Sequence, residues 1–270
     1  MIMQLSVAKA LQDKNPGLYK RLPAFVIRWI ERLICQDEMN MLLREHGHLS
    51  SLGFTNAVVD YLDNEVVVHH EERIPVTGRY IIVSNHPLGG LDGMVLISVC
   101  GRHRSDIKFP VNDLLYYVEP LREIFVPINK HGKTGDEARK MFNDAFESDN
   151  LVLYFPAGLC SRRKNGVIRD LEWKKTIITK ARQTQRDIIP CYFDGRNSNT
   201  FYNVANLREK LGIKTNLEMT LLPREMMKKK KSHFELTFGE QIPYSHFDES
   251  KKDKEWAAWL KEQVYQLKSK

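Results

Sequence analysis

The chain has 270 residues, 42% hydrophobic and 28% charged, which is enough for one generous domain with a substantial core and is ordinary for a globular protein. Lys and Arg number 41 against 34 Asp and Glu, a balance of +7 that points to an anionic partner. The absence of zinc-finger spacing or an aromatic RNA-binding signature argues against nucleic acid in that role. Cys35, Cys100, Cys160 and Cys191 are scattered without paired spacing, which argues against a disulfide framework or a zinc site and suits a reducing interior. No apolar run approaches the ~20 residues of a spanning helix, and the amino terminus lacks the basic and apolar regions of a cleavable signal. The expectation is a protein that is soluble or rests on a membrane surface.

Residues 1–50 read as helical. Pro23 suits a first helical position, and Leu22, Phe25, Val26, Trp29, Ile30, Leu33 and Ile34 then fall on one face, with Arg21, Arg28 and Arg32 on the other. Such a face fits a membrane interface or the domain's own core equally well. A second helix is expected over residues 38–46, ending at Gly47. Phe54, Val58, Val59 and Leu62 suggest another, and residues 65–70 a strand around Val66-Val67-Val68. His69 and His70 are adjacent in that strand and point to opposite faces, which places them poorly for one metal ion.

The apolar run Tyr80-Ile81-Ile82-Val83 breaks into Ser84-Asn85-His86-Pro87-Leu88-Gly89-Gly90-Leu91-Asp92-Gly93 and resumes with Met94-Val95-Leu96-Ile97. That pattern predicts strand, tight loop, helix, with His86 at the carboxyl end of the strand and Asp92 in the first helical turn. Such ends face the crevice where α/β sheets keep their chemistry. A histidine with a carboxylate folded back onto its ring is a general base in a fixed tautomer. The paired glycines let the backbone turn sharply and a substrate carbonyl approach.

Beyond residue 80, strand-like segments at 124–128, 151–155 and 188–193 alternate with helical ones at 136–147 and 172–185. This alternation predicts an α/β fold, a mostly parallel central sheet flanked by helices. The tail carries the basic block Lys228-Lys229-Lys230-Lys231, a strand-like run at 234–238, and a helix from about residue 249 with Trp256, Trp259, Leu260, Val264 and Leu267. Three segments are expected: an N-terminal amphipathic helical segment (1–50), the α/β domain (51–245), and a C-terminal helix packed on it (246–270).

Three further stretches fall at strand ends. Asn129-Lys130-His131-Gly132-Lys133 offers cations and donors for a phosphate or carboxylate. Phe155-Pro156-Ala157-Gly158-Leu159-Cys160-Ser161-Arg162 is a tight loop followed by Arg163 and Lys164. Ile188-Ile189-Pro190-Cys191 is an apolar strand of the kind that most often belongs to a core. A nucleophilic Cys160 would need a base or a depressed pKa, and His86 already has a fuller role, so Cys160 reads as a lining residue.

In order and character these motifs resemble those of the glycerolipid acyltransferase family, lysophosphatidic acid acyltransferase-like, over residues 75–195. In that family a His and an Asp activate the acceptor's hydroxyl. Four residues usually separate the pair, whereas Pro87 to Leu91 make five here, a variant resembling the haemolysin-like branch that includes ornithine- and glycine-lipid acyltransferases. The family's second motif ends in Asp and Arg, where this chain has Asn129 and Lys130, and its short fourth motif resembles Ile188-Ile189-Pro190-Cys191, which the resemblance implies as a lining of the acyl channel. Its third motif holds a phosphorylated glycerol with a Glu and an Arg, where this chain has Ala157 and Cys160; the haemolysin-like branch shares Phe-Pro-Ala-Gly.

The resemblance implies a glycerol-phosphate acyltransferase-like fold and an enzyme of membrane lipid synthesis moving an acyl group from an acyl carrier protein or coenzyme A thioester, with no further cofactor and no metal. It implies His86 and Asp92 as catalytic, and Asn85, Gly89, Gly90, Lys130, Phe155, Pro156, Gly158, Ser161, Arg162 and Arg163 as substrate-binding. Ala157 and Cys160 favour an amino acid or its monoacyl derivative as acceptor, and family size favours lysophosphatidic acid. The expected place is cytoplasmic, peripheral on the inner face of an anionic membrane. A catalytically inactive membrane-binding protein is the alternative, against which the intact His86 and Asp92 count. An α/β hydrolase would need a Gly-x-Ser-x-Gly elbow, which is not found.

Overall fold

Strands rich in Ile, Val and Leu on both faces belong inside a covered parallel sheet. The computed structural model, which describes residues 4–112, 118–128 and 135–268, shows this arrangement. The strands are β1 (Glu65–His69), β2 (Tyr80–Ser84), β3 (Ile107–Val111), β4 (Phe125–Pro127), β5 (Leu151–Tyr154), β6 (Arg162–Lys164), β7 (Val167–Arg169), β8 (Asp187–Asp194) and β9 (His233–Phe238). Seven form one sheet in the order β1-β9-β8-β2-β5-β3-β4, and β6 and β7 pair as a separate antiparallel hairpin. From β8 to β4 all neighbours are parallel; β9 runs antiparallel to β8, with Cys191 opposite Phe238, and β1 is parallel to β9.

The helices are α1 (Val7–Lys14), α2 (Pro16–Arg21), α3 (Ala24–Leu33), α4 (Gln36–His46), α5 (Ser51–Leu62), α6 (Gly90–Gly101), α7 (Gly135–Glu147), α8 (Thr176–Thr184), α9 (Asn199–Lys210), α10 (Leu222–Met227) and α11 (Asp253–Gln266). Alternation along β2 divides the core. Ile82 joins Phe54, Val58, Leu91, Val95 and Leu96 of α5 and α6, whereas Ile81 and Val83 join Ile177, Ile178, Trp256, Leu260 and Val264 of α8 and α11. Each of these fully buried side chains stabilises the fold by about 1.5–3 kcal/mol.

The helical amino terminus is four short helices. Hydrogen bonds from Leu5 N–H to Asn40 and from Val7 N–H to Gln36, both 2.7 Å, tie the start of the chain to α4, which docks through Leu42 and Leu43. On α3 no residue is fully buried, and Phe25 and Trp29, one turn apart, are 68% and 61% exposed. These two aromatics therefore do not cover the core.

Several expectations are corrected. The helix anticipated from residue 172 begins at Thr176, because the preceding segment is held by Trp173 Nε1–H donating to Asp170 (2.9 Å) and Lys174 N–H donating to the Pro156 carbonyl (3.1 Å). The Ile188-Ile189-Pro190-Cys191 strand lies in the middle of the sheet and fills the core on both faces, so it lines no acyl channel. In the basic block, Lys228 meets Glu225 at 3.0 Å and Lys230 lies over the Tyr61 ring, so part of its charge is engaged within the fold. β3, the β6–β7 hairpin, α9 and α10 carry no strong local signal and were not anticipated. Arg186, fully buried, offers its guanidinium to the carbonyls of Phe146, Asn150, Tyr80, Ala145 and Ser148, closing the ends of α7 and two strands.

Candidate active site

β2 ends at Ser84, and the chain turns through Pro87 and Leu88 to Gly89, whose φ of +92° is open to glycine at little cost. α6 then starts at Gly90, which brings Asp92 into its first turn. Despite the additional residue in the loop, His86 Nδ1 lies 3.0 Å from Asp92 Oδ2. The same oxygen accepts from the Leu88 N–H (2.8 Å) and Gly89 N–H (3.3 Å), and Oδ1 accepts from Gly93 N–H (2.9 Å). A carboxylate accepting from three backbone donors takes the Nδ1 proton as its fourth, which fixes the tautomer and leaves the Nε2 lone pair available. Asp92 is completely buried, whereas the His86 side chain keeps 16% of its surface exposed. The ring is stacked on Phe155 at the end of β5, centroids 4.2 Å apart and planes at 24°. This is an oriented, partly exposed imidazole with one nitrogen left for chemistry.

The backbone of His86 is clamped as well. Its N–H donates to Asp170 Oδ1 (3.2 Å) and its carbonyl accepts from the Ser161 N–H (2.7 Å). Asp170, 5% exposed, also accepts from Ser161 Oγ (2.6 Å) and Trp173 Nε1 (2.9 Å), while its own N–H donates to the Tyr265 hydroxyl of α11 (2.7 Å). One buried carboxylate thus joins three segments around His86. No local signal in the sequence marks it.

The other anticipated site residues separate into three groups. Phe155 touches the histidine directly; Gly89 shapes its loop; and Gly90 has open space where a side chain would stand, with nothing within 4 Å. Asn85, Pro156 and Ser161 are built into the frame: the Asn85 amide exchanges two hydrogen bonds with the Phe193 backbone (2.9 and 2.8 Å), and the Pro156 carbonyl receives the Lys174 N–H. Gly158 is exposed at φ +67°, with Lys174 Nζ beside it. Lys130, with Asn129, lies outside the described residues.

The arginines differ from the expectation of free cations. Arg162 is buried, and its Nη2 donates to Glu218 (2.7 Å) while the guanidinium lies 5.4 Å from the Phe201 ring centre. Glu218 is fully buried and also faces Arg208, whose Nε is 2.9 Å from Oε2 but off line for a hydrogen bond. A buried charge that is already paired is a poor anion trap, so Arg162 holds the loop rather than presenting its charge. Arg163 is more accessible, bonded to Asn199 and Asn203 and lying over Tyr202. Burial pushes the Cys160 thiol up to about 11 despite the adjacent Arg162, which leaves it protonated and inert.

A family model described as acyltransferase matches residues 9–270. The chain belongs to that acyltransferase family. The enzyme is 47% identical over 264 residues to a lyso-glycine lipid O-acyltransferase of Bacteroides thetaiotaomicron, covering 97% of each chain. It is 42% identical over 267 residues to a protein of the same name from Phocaeicola vulgatus, covering 98% of this acyltransferase and 96% of that relative. Among solved structures it resembles the 1-acyl-sn-glycerophosphate (LPA) acyltransferase PlsC of Thermotoga maritima, with a TM-score of 0.52 over 90% of this chain and 93% of that one. At 15% identity, that likeness shows the shared fold. Among the described residues of the acyltransferase, no helix is long and apolar enough to cross a membrane.

Proposed function

We propose that this acyltransferase transfers a fatty acyl group from a thioester to the hydroxyl of a lysolipid with an amino-acid head, the lyso-glycine lipid class. The observation that carries the reaction is the 3.0 Å contact between His86 Nδ1 and Asp92 Oδ2, which leaves Nε2 as the ring nitrogen free of the carboxylate. As the acceptor hydroxyl attacks the thioester carbonyl, Nε2 takes its proton and Asp92 stabilises the resulting imidazolium. The Gly89 N–H is already engaged with Asp92. Gly90 and Leu91, at the first positions of α6, have N–H groups without intrahelical acceptors and are the donors available to the oxyanion. The intermediate collapses by breaking the C–S bond, an ester forms, and the proton on Nε2 passes to the departing thiolate. No covalent acyl-enzyme is involved: the Cys160 thiol is buried, and Ser161 Oγ is bonded to Asp170.

The acceptor class is supported by the two relatives and by Ala157 and Cys160, which supply no Glu–Arg pair for a glycerol phosphate. The donor is a thioester of acyl carrier protein or coenzyme A, whose phosphate Arg163 meets. The enzyme is peripheral on the inner, cytoplasmic face of the membrane, with Phe25 and Trp29 of α3 entering the interface and Arg21, Arg28 and Arg32 at the headgroups.

The test is mass spectrometry of products formed from acyl carrier protein thioesters or acyl-coenzyme A with lyso-glycine lipid, glycine, ornithine or lysophosphatidic acid. Formation of the O-acylated glycine lipid, lost in His86→Ala, is the expected result. Preferential formation of phosphatidic acid overturns the acceptor, and undiminished turnover by His86→Ala overturns the mechanism.

A further inference from the structure

Half of the large apolar side chains exposed among the described residues lie on two joined pieces of the fold, the β6–β7 hairpin and α9 with the turn beyond it. Val167 at the β6–β7 hairpin is 57% exposed, Leu207 on α9 and Leu211 at its C-cap are 58% and 65% exposed, and Ile213 and Leu217 beyond it are 39% and 46% exposed. The hairpin and helix are joined: Lys164 meets Glu209 at 3.5 Å, and Arg163 bonds Asn199 and Asn203. Leu207 and Leu211 lie one turn apart on the same helix face. The turn after α9 is pre-formed, because Arg208 donates to the Ile213 carbonyl (2.8 Å) and its Nε stands beside Glu218, the partner of Arg162. Lys210 at the end of α9 and Lys214 in this turn have no ion-pair partner among the described residues.

This patch is linked through the chain to the catalytic loop. The chain continues from Leu217 to Leu222, whose side chain would come within 2.8 Å of a methyl group placed on Gly89. Grouped leucines are costly to leave in water, and unpaired lysines beside them match an anionic headgroup layer. An acidic carrier protein would meet the lysines but leave the leucines without a purpose.

We propose that the tip of the β6–β7 hairpin and the turn after α9 form a lipid-inserting surface, separate from α3, that seats the mouth of the active site on an anionic bilayer. This rests on the reading that the acceptor is held in a membrane. Leucines entering the interface would bring the loop around Gly89 and Gly90 to the depth of an acceptor hydroxyl, while Lys210 and Lys214 meet the headgroups.

The test uses the full chain with vesicles of phosphatidylcholine containing phosphatidylglycerol. Val167→Thr, Leu207→Gln and Leu211→Gln are combined; all three side chains are more than half exposed, so the fold is retained. Vesicle affinity is expected to fall about tenfold or more, with turnover of a short-chain, water-soluble acceptor unchanged. In a Cys35→Ser background, where the remaining cysteines are buried, an environment-sensitive dye on Leu211→Cys is expected to shift to shorter wavelength on adding vesicles. Unchanged vesicle affinity, or dye emission that responds to acyl carrier protein and not to vesicles, overturns the proposal. Because vesicle binding is read without turnover, failure of the acyl-transfer reading on every acceptor leaves this measurement decisive by itself.

Discussion

The N–H of His86 donates to Oδ1 of Asp170 across 3.2 Å, a contact between residues 84 positions apart. With Asp92 on the ring and Asp170 on the backbone, two buried carboxylates determine where Nε2 points. Their roles separate experimentally, because one bonds the imidazole and the other the main chain.

Removing the imidazole should stop the chemistry without unfolding the protein. His86→Ala is expected to lower kcat about a thousandfold, the scale of a lost general base, with thermal stability near that of the parent. Asp92→Ala is expected to lose activity and also about 1–3 kcal/mol of stability, since three backbone donors lose their acceptor. Thermal melts beside steady-state rates read both; equal stability of the two variants would contradict the picture.

Asp170→Asn tests the clamp. The carboxylate accepts from His86 N–H, Ser161 Oγ and Trp173 Nε1, and an amide must turn a donor toward one of these donors. A fall in kcat of about tenfold with KM unchanged is expected, because a displacement of the imidazole affects the reacting geometry more than substrate binding. Rescue by adding Trp173→Phe, which removes the indole N–H, separates this effect from general loosening.

The Arg162–Glu218 pair should behave as a structural element. Glu218→Ala leaves two buried or half-buried guanidinium groups without their carboxylate and is expected to cost about 3–5 kcal/mol. Arg162→Met leaves Glu218 with Arg208 and is expected to cost less. Denaturant melts of the two variants rank them; the reverse order would return Arg162 to the role of a free anion-binding cation.

Alkaline pH should weaken the fold. Burial pushes Cys160 up to about 11, and Tyr154 and Tyr202 to about 12. A raised folded-state value means that the fold favours the protonated group, so its contribution is complete below the ordinary thiol pKa of ~8.5 and is lost as pH rises toward 11. Melting temperature is therefore expected to decline from about pH 9 upward. Cys160→Ala should flatten the portion of that decline between roughly 9 and 11.

Much of this protein is written locally. The apolar run before Ser84, the glycines after Pro87 and the carboxylate at the start of α6 dictated strand, loop and helix, and with them the meeting of His86 and Asp92; alternation of apolar runs with helical stretches dictated a covered, mostly parallel sheet. These are consequences of side-chain periodicity and backbone freedom over a few residues. Tertiary structure alone decided the reversal of β9 against β8, the assignment of Asp170 to the His86 backbone, and the pairing of Arg162 with Glu218. An isolated Asp, Glu or Arg has the same sequence signal whether it is solvated, bound to substrate or buried against a partner. Its role is set by which distant segment closes over it, and by the high cost of leaving a buried charge alone.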